Sequence, residues 1–393
     1  MLASLLDYAR CFAHGLVRRD ERALLGASLE RIAHAGGADP AARQAALAGA
    51  IDWLCLAQDQ WPDGGIGSYH LVNGWGAPYP ETTGYIVPTL LAAARVLERP
   101  SLCDRALRAG EWLLRIQRPD GGWQGGRVDQ ERLSIVFNTA QVVRGLLALH
   151  AHGGDDRFAD AAERAGAWIL SVQEADGAWR THNFLGAGRV YDTYVDAPLL
   201  ALWKRTGDDR FRAGAVRNLA WVLERQHANG WFSDADNTLR HNDRPITHTI
   251  AYTMDGLIAC GEALSDERLI AAARKPADAL LRAFLRDGRL NGRYDASWRG
   301  SEAAIITGCA QSAIVWSRLA AITSDDRYAE GVRRMTAWLI GVQARSGRGP
   351  AGVHGALPGS FPLWGRYEKF AFPNWATKYF ADALLCGEER SSR

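Results

Sequence analysis

Several things are scarce in this chain. Its 393 residues include six cysteines and three methionines. None of Cys11, Cys55, Cys103, Cys260, Cys309 and Cys386 forms a CxxC pair, so no zinc ribbon, redox dithiol or disulfide framework can be read. Most fall on apolar helix faces, as the reduced thiols of a cytoplasmic protein would. Formal charge is only +2 and no basic cluster stands out, which argues against nucleic acid as a partner. No apolar run is long enough to span a bilayer, so no stable membrane insertion is expected. The N-terminus MLASLLDYARCFAHGLVRRD reads as an amphipathic helix rather than a secretory leader. No segment alternates like a strand, so no Rossmann or P-loop glycine string follows one, and no cofactor is implied. No metal is implied either. Cys309 and His248 are the one plausible zinc pair, and they lack ligand spacing.

Tryptophan, by contrast, is plentiful and ordered. The pattern Trp-x4-Gln before a Gly-rich turn occurs at Trp53/Gln58, Trp112/Gln117, Trp168/Gln173, Trp221/Gln226 and Trp338/Gln343. The glutamines are 59, 56, 53 and 117 residues apart, and the last gap holds a degenerate copy in which Phe284 replaces Gln before Asp287-Gly288. A period of this length marks one array rather than several domains. Each unit reads as two helices. Asp104–Gln117 is one-sided, with Leu107, Trp112, Leu113 and Ile116 opposite Arg105, Arg108, Glu111 and Arg115, whereas Ser134–His150 is apolar nearly all round. The pairing recurs as 41–58 with 81–97, 157–173 with 192–206, 210–226 with 246–264, 268–284 with 303–323, and 327–343 with 369–385. One-sided helices outside and buried helices inside predict an all-α, closed (α/α)6 toroid. The whole chain, 1–393, reads as a single domain: an N-terminal helical extension over 1–40, then six helix pairs over 41–393.

Loop lengths predict a working end. Inner-to-outer connections are tight and capped by Asp, as in Gly154-Asp155-Asp156-Arg157, Gly207-Asp208-Asp209-Arg210 and Ser324-Asp325-Asp326-Arg327. Outer-to-inner connections (59–80, 118–133, 174–191, 227–245, 285–302 and 344–368) are long, and long loops in a compact domain usually carry function.

The Trp/Gln signature resembles the QW repeat of squalene-hopene and oxidosqualene cyclases, most closely over Arg108–Gln117 with Gly122-Trp123, and more loosely the protein prenyltransferase β-subunit toroid. That resemblance implies a toroid and leaves the chemistry open. Cyclases started by protonation use an Asp-x-Asp-Asp acid; the nearest string here, Asp234-Ala235-Asp236-Asn237, lacks the last Asp. The segments Asn73–Tyr85, Pro358–Phe361 and Phe372–Lys378 resemble a bacterial toroid family associated with exopolysaccharide biosynthesis clusters. Tyr79, Pro80, Thr82 and Thr83 also resemble the toroid of glucuronyl C5-epimerases.

Candidate site residues lie on the long-loop face. Trp75, Tyr79, Trp298, Trp364 and Tyr367 fall outside the repeat consensus and offer aromatic faces to a sugar. Trp123, Trp179 and Trp231 are expected to stack on their own repeat glutamines. The first turns of the inner helices carry more polar groups than capping needs: Glu81, Thr83 and Tyr85; Asn138; Tyr191, Tyr194 and Asp196; His248 and Tyr252; Gln311; Asn374 and Lys378. Asp192, Thr247 and one of Thr82 or Thr83 are expected to be N-caps. The expected function is a carbohydrate-active enzyme of exopolysaccharide biosynthesis, acting on a saccharide chain, with a uronyl chain as one form of that substrate. In the proton-abstraction form, as in epimerisation or lyase chemistry, His248 with Tyr252 or Tyr194 is the base, and Asn138, Gln311, Asn374 and Lys378 hold carboxylate or hydroxyl groups. In the hydrolytic form Glu81 is the acid, with Asp196, Asp192 or Glu302 as second carboxylate. The alternatives are a terpenoid cyclase-like enzyme on an isoprenoid substrate and a non-catalytic saccharide-binding toroid. Oligomeric state is not legible.

Overall fold

The computed structural model describes residues 2–32 and 38–391, so residues 33–37 of the expected N-terminal extension lie outside the described residues. Two helices, α1 (Leu2–Val17) and α2 (Arg19–Ala27), precede the array, and α2 packs on the outer helix α13 (Asp326–Ser346). The other outer helices are α3 (Pro40–Asp59), α5 (Ser101–Arg115), α7 (Asp156–Ser171), α9 (Asp209–Leu223) and α11 (Glu267–Asp287). The inner ones are α4 (Pro80–Val96), α6 (Val136–Gly153), α8 (Thr193–Thr206), α10 (Thr247–Leu264), α12 (Ile306–Thr323) and α14 (Asn374–Ser391). Each inner helix packs on the next along the chain, and α14 also packs on α4. One apolar core runs continuously from Cys11 to Leu385.

Helix pairing differs from the sequence expectation in one respect. Each inner helix packs on the outer helix that follows it, and α3 packs on α14, more than 300 residues away. The cause is loop length: tight turns force neighbours to pack antiparallel, whereas long loops let the chain leave. Four of the five tight turns share one device, the exception being the turn from α4 to α5. A left-handed residue (Gly154, Gly207, Ser265 or Ser324) ends the inner helix. An Asp (Asp155, Asp208, Asp266 or Asp325) then accepts a hydrogen bond from the backbone N–H two residues on.

The repeat glutamines act as staples. Each Nε2 donates to two carbonyls, one in its own glycine turn and one in the neighbouring outer helix. Gln58 reaches Gly64 O and Arg105 O at 3.1 and 3.0 Å; Gln117 reaches Gly121 O and Ala161 O, both at 2.9 Å. Gln173 reaches Gly177 O and Gly214 O, both at 2.9 Å, and Gln226 reaches Gly230 O and Ala272 O at 3.4 and 2.7 Å. Gln343 bonds Gly355 O at 3.0 Å and, across the ends of the array, Ala46 O at 2.9 Å. All five turn glycines have positive φ. A Cβ on Gly64, Gly121 or Gly355 would also run into the backbone of the next outer helix, so both conformation and space demand glycine. Trp123 and Trp179 are fully buried and donate Nε1–H to Leu113 O and Ile169 O at 2.9 Å. Trp231 is likewise buried, its Nε1–H directed at Tyr294 O at 3.3 Å. Phe284, in the degenerate copy, stacks on Trp316 at 5.6 Å instead.

The strandless expectation is also corrected. Long loops of the first and last units meet as two-residue strands, Tyr69–His70 between Gly74–Trp75 and Ala371–Phe372. Ala304–Ile305 pairs with Ser360–Phe361, and Arg293–Tyr294 with Gly300–Ser301. Such pairs are too short to leave a periodic signal in the sequence.

Candidate active site

Four of the six inner helices, and the helical turn that precedes a fifth, start at one cavity of about 230 Å³ beneath the long loops. Its wall takes Glu81, Thr82 and Tyr85 from α4, Phe137 and Asn138 from α6, His248, Thr249 and Tyr252 from α10, and Trp375 from α14. Tyr191 lies in the single helical turn before α8. The loops add Tyr79, Asn183, Phe184, Asn237, Tyr367 and Glu368.

Glu81 sits in the first turn of α4, where Asn138 donates from Nδ2 to its Oε2 at 2.7 Å and to the Tyr79 hydroxyl at 2.9 Å. Burial raises the Glu81 carboxyl to about 7, and the neighbouring Tyr79 hydroxyl pulls slightly the other way. His248 is buried, its ring 4.4 Å from that of Tyr252 and 5.9 Å from that of Tyr367. Its Nδ1 lies 2.6 Å from Gln311 Oε1, which can only accept, so Nδ1 carries the proton and Nε2 keeps its lone pair. Burial lowers this imidazole to about 4 against the opposing Gln311 bond. Desolvation is the dominant cause. An aromatic cluster backs the site: Tyr252 packs on Phe137 at 5.1 Å and on Tyr194 at 4.6 Å, and Tyr85 on Tyr379 at 5.5 Å.

Other expected site residues are placed elsewhere. Tyr194 and Asp196 stand behind the lining; both Asp196 oxygens are buried without a partner among the described residues, and burial holds that carboxyl far above its usual range. Asp192 is in the same state, raised to about 8, and makes no capping bond. Thr247 Oγ1 donates to Asn291 O at 2.6 Å, Thr83 Oγ1 accepts from Ile66 N at 3.0 Å and Thr82 Oγ1 donates to Tyr79 O at 3.3 Å, so none of the three is the expected cap. Asn374 spends its Nδ2 on Ile66 O, Gly67 O and Thr82 Oγ1. Lys378 pairs with Asp382 at 2.6 Å and lies over the Tyr379 ring. Gln311 supports His248 from behind. Trp298 sits on an outlying loop with Nε1 on Asn229 O, and Trp364 packs on Phe12. Trp75 lines a neighbouring hollow. Glu302 is held by Arg293 and Arg366. In the Asp234–Asn237 string, Asp236 is fully buried on Arg293 at 2.9 Å, a structural ion pair.

Sequence reasoning missed Ile135, Phe137, Asn183, Phe184, Asn237 and Glu368. Phe137 looks like any core position of an apolar helix. Glu368 has a left-handed backbone (φ 44°) and an exposed side chain that borders both hollows; the protein packed around its carboxyl desolvates it in part and raises it.

The fold is that of an α/α-toroid protein with a cavity at the mouth of its inner helices. No family model matches the chain. By structure it is similar to an unsaturated glucuronyl hydrolase specific for heparin (TM-score 0.70, 16% identity, 90% of this chain and 99% of that one). It is also similar to a cellobiose 2-epimerase from Bacillus thermoamylovorans (TM-score 0.69, 12% identity, 87% and 96%). By sequence it is similar to a drimenyl diphosphate synthase of Streptomyces showdoensis, 27% identical over 221 residues, 56% of this chain. The chain spans 37% of that relative's length, and less of the other curated relatives it matches. No described helix is long and apolar enough to cross a membrane.

Proposed function

We propose that this chain is a carbohydrate-active enzyme that takes one saccharide residue into the inner cavity and moves protons with Glu81 as acid and His248 as base. One observation carries the reading: a single aromatic- and amide-lined cavity pushes a carboxyl up to about 7 and an imidazole down to about 4. Titratable pairs whose environments drive them apart mark acid and base roles. Near neutral pH the Glu81 carboxyl can give a proton and His248 Nε2 can take one. The toroid neighbours, a hydrolase and an epimerase bearing saccharide names, support the substrate class. The contacts from helix to helix, with α14 returning to α4, support a closed ring of six hairpins. The resemblance of Asn73–Tyr85 and Phe372–Lys378 to the exopolysaccharide-associated family supports a role in polymer assembly.

The cavity lining contains no Arg or Lys, which favours an uncharged sugar ring over a uronate. Proton abstraction is favoured over hydrolysis by Asp192, Asp196 and Glu302, which are all placed away from the cavity; Glu368 is the remaining second carboxylate. An isoprenoid cyclase is the second reading, supported by the similarity to diphosphate synthases and by the aromatic wall. A diphosphate, however, would meet no Arg or Lys side chain in the lining of this cavity.

The test presents neutral and uronyl disaccharides, and separately farnesyl and geranylgeranyl diphosphate, to the protein in deuterium oxide, with NMR detection of exchange, epimerisation or cleavage. Saccharide turnover is expected, falling roughly 10²–10⁴-fold in His248→Ala and Glu81→Gln. Turnover of a prenyl diphosphate alone, or full saccharide activity in both variants, overturns the proposal.

A further inference from the structure

Beside the inner cavity lies a second hollow of about 550 Å³, and the two share Tyr79, Glu368 and Trp375 as a common wall. Its outer side is built from Trp61, Tyr69, Trp75 and Arg127. The Trp75 ring is held in place by Trp53, 5.6 Å away, and by the edge of Tyr69 at 5.2 Å. The backbone beneath is pinned by the three short strands that join the first and last loops. Trp61 Nε1 is a buried donor without a partner among the described residues. Arg127 stands at the rim, half exposed, with Asp129 at 3.4 Å as its loose partner. A rigid indole face with donors beside it offers a sugar both an apolar platform and partners for its hydroxyls.

Volume points the same way. At about 230 Å³ the inner cavity is smaller than the roughly 300–1,000 Å³ of ordinary small-ligand sites, and the two hollows together fall inside that range. We propose that the Trp61–Trp75–Arg127 hollow is a second sugar subsite. The substrate is then an oligosaccharide of at least two residues. Its reacting ring lies between Glu81 and His248, its neighbour lies over Trp75, and the linkage passes the Tyr79–Glu368–Trp375 neck. This inference rests on the saccharide reading and adds chain length and orientation to it.

Isothermal titration with mono-, di- and trisaccharides of glucose, galactose and mannose tests it. For the sugar that binds, affinity should rise at least tenfold from mono- to disaccharide. Trp75→Ala and Arg127→Gln should flatten that step and leave monosaccharide affinity unchanged. Trp75 packs on Trp53, so Arg127→Gln, at an exposed position, carries the test if the Trp75 variant fails to fold. Equal affinity for mono- and disaccharide, or variants that weaken both alike, overturns the subsite while leaving the saccharide reading intact. No binding of any sugar by the wild-type protein defeats both.

Discussion

Gln343 offers the most demanding test of the architecture. Its Nε2 holds Gly355 O in its own turn and Ala46 O in α3, 297 residues away, so it is the staple that joins the last outer helix to the first. Gln343→Ala removes two neutral hydrogen bonds, each worth about 1 kcal/mol net, and leaves two inward carbonyls short of a donor. Water reaching part of the gap offsets some of that penalty. The expected loss is about 2–4 kcal/mol. With an ordinary unfolding entropy per residue, a chain of 393 residues loses about 0.8 kcal/mol per degree near its midpoint, so the midpoint should fall by roughly 3–5 °C. Gln343→Glu is the sharper variant. It keeps the shape and the acceptors but points a carboxylate at two carbonyls, so it should cost at least as much as alanine. Urea unfolding and thermal melts followed by circular dichroism, with Gln117→Ala alongside, supply the numbers. Gln117 makes the same pair of bonds between adjacent units, both at 2.9 Å. If Gln117→Ala destabilises while Gln343→Ala and Gln343→Glu stay within about 0.5 kcal/mol of wild type, the ends are not joined and the ring reasoning fails.

Two further outcomes follow from the buried acids. Glu81 has its folded-state value raised from 4.5 to about 7, so the folded protein keeps a proton that the unfolded chain releases. Its contribution is therefore full below about 4.5 and is lost as pH rises through about 7. Glu81→Gln should match wild type in urea unfolding at pH 4 and exceed it at pH 8 by on the order of 2 kcal/mol; parallel pH profiles would refute the burial argument. Asp196 has both oxygens buried and without a partner among the described residues, and it does not line the cavity. Asp196→Asn should retain activity within a few-fold and be no less stable than wild type, and a hundredfold loss of turnover would return this residue to the catalytic machinery.

The array was legible because its signal is repetitive. Trp-x4-Gln places the outer-helix ends within about one turn, and the Asp that follows each left-handed residue caps as its chemistry requires. The site was only partly legible. Glu81, Tyr85, Asn138, Tyr191, His248 and Tyr252 could be picked out because polar or phenolic groups interrupt apolar helices at their first turns, and all six reach the cavity. Asn374 and Lys378 interrupt the pattern equally, yet one bonds loop carbonyls and the other neutralises Asp382. Composition cannot tell a group facing a cavity from one facing a backbone carbonyl. Phe184 and Glu368 belong to loops whose path is set by turns and cross-loop strands, and spacing carries no information about that path.

The glutamine staples hold the root of each long loop they serve, not its tip. Beyond the clamped glycine and the buried Trp that follows it (Trp123, Trp179 or Trp231), the chain has fewer ties to the frame and more room to vary before the next inner helix begins, and the clamp on the neighbouring outer helix is unaffected. The mouth is thus a set of interchangeable inserts in a shared socket. A graft that begins after Trp123, Trp179 or Trp231 and ends at the next inner helix should exchange one ligand preference for another while the frame beneath keeps its register.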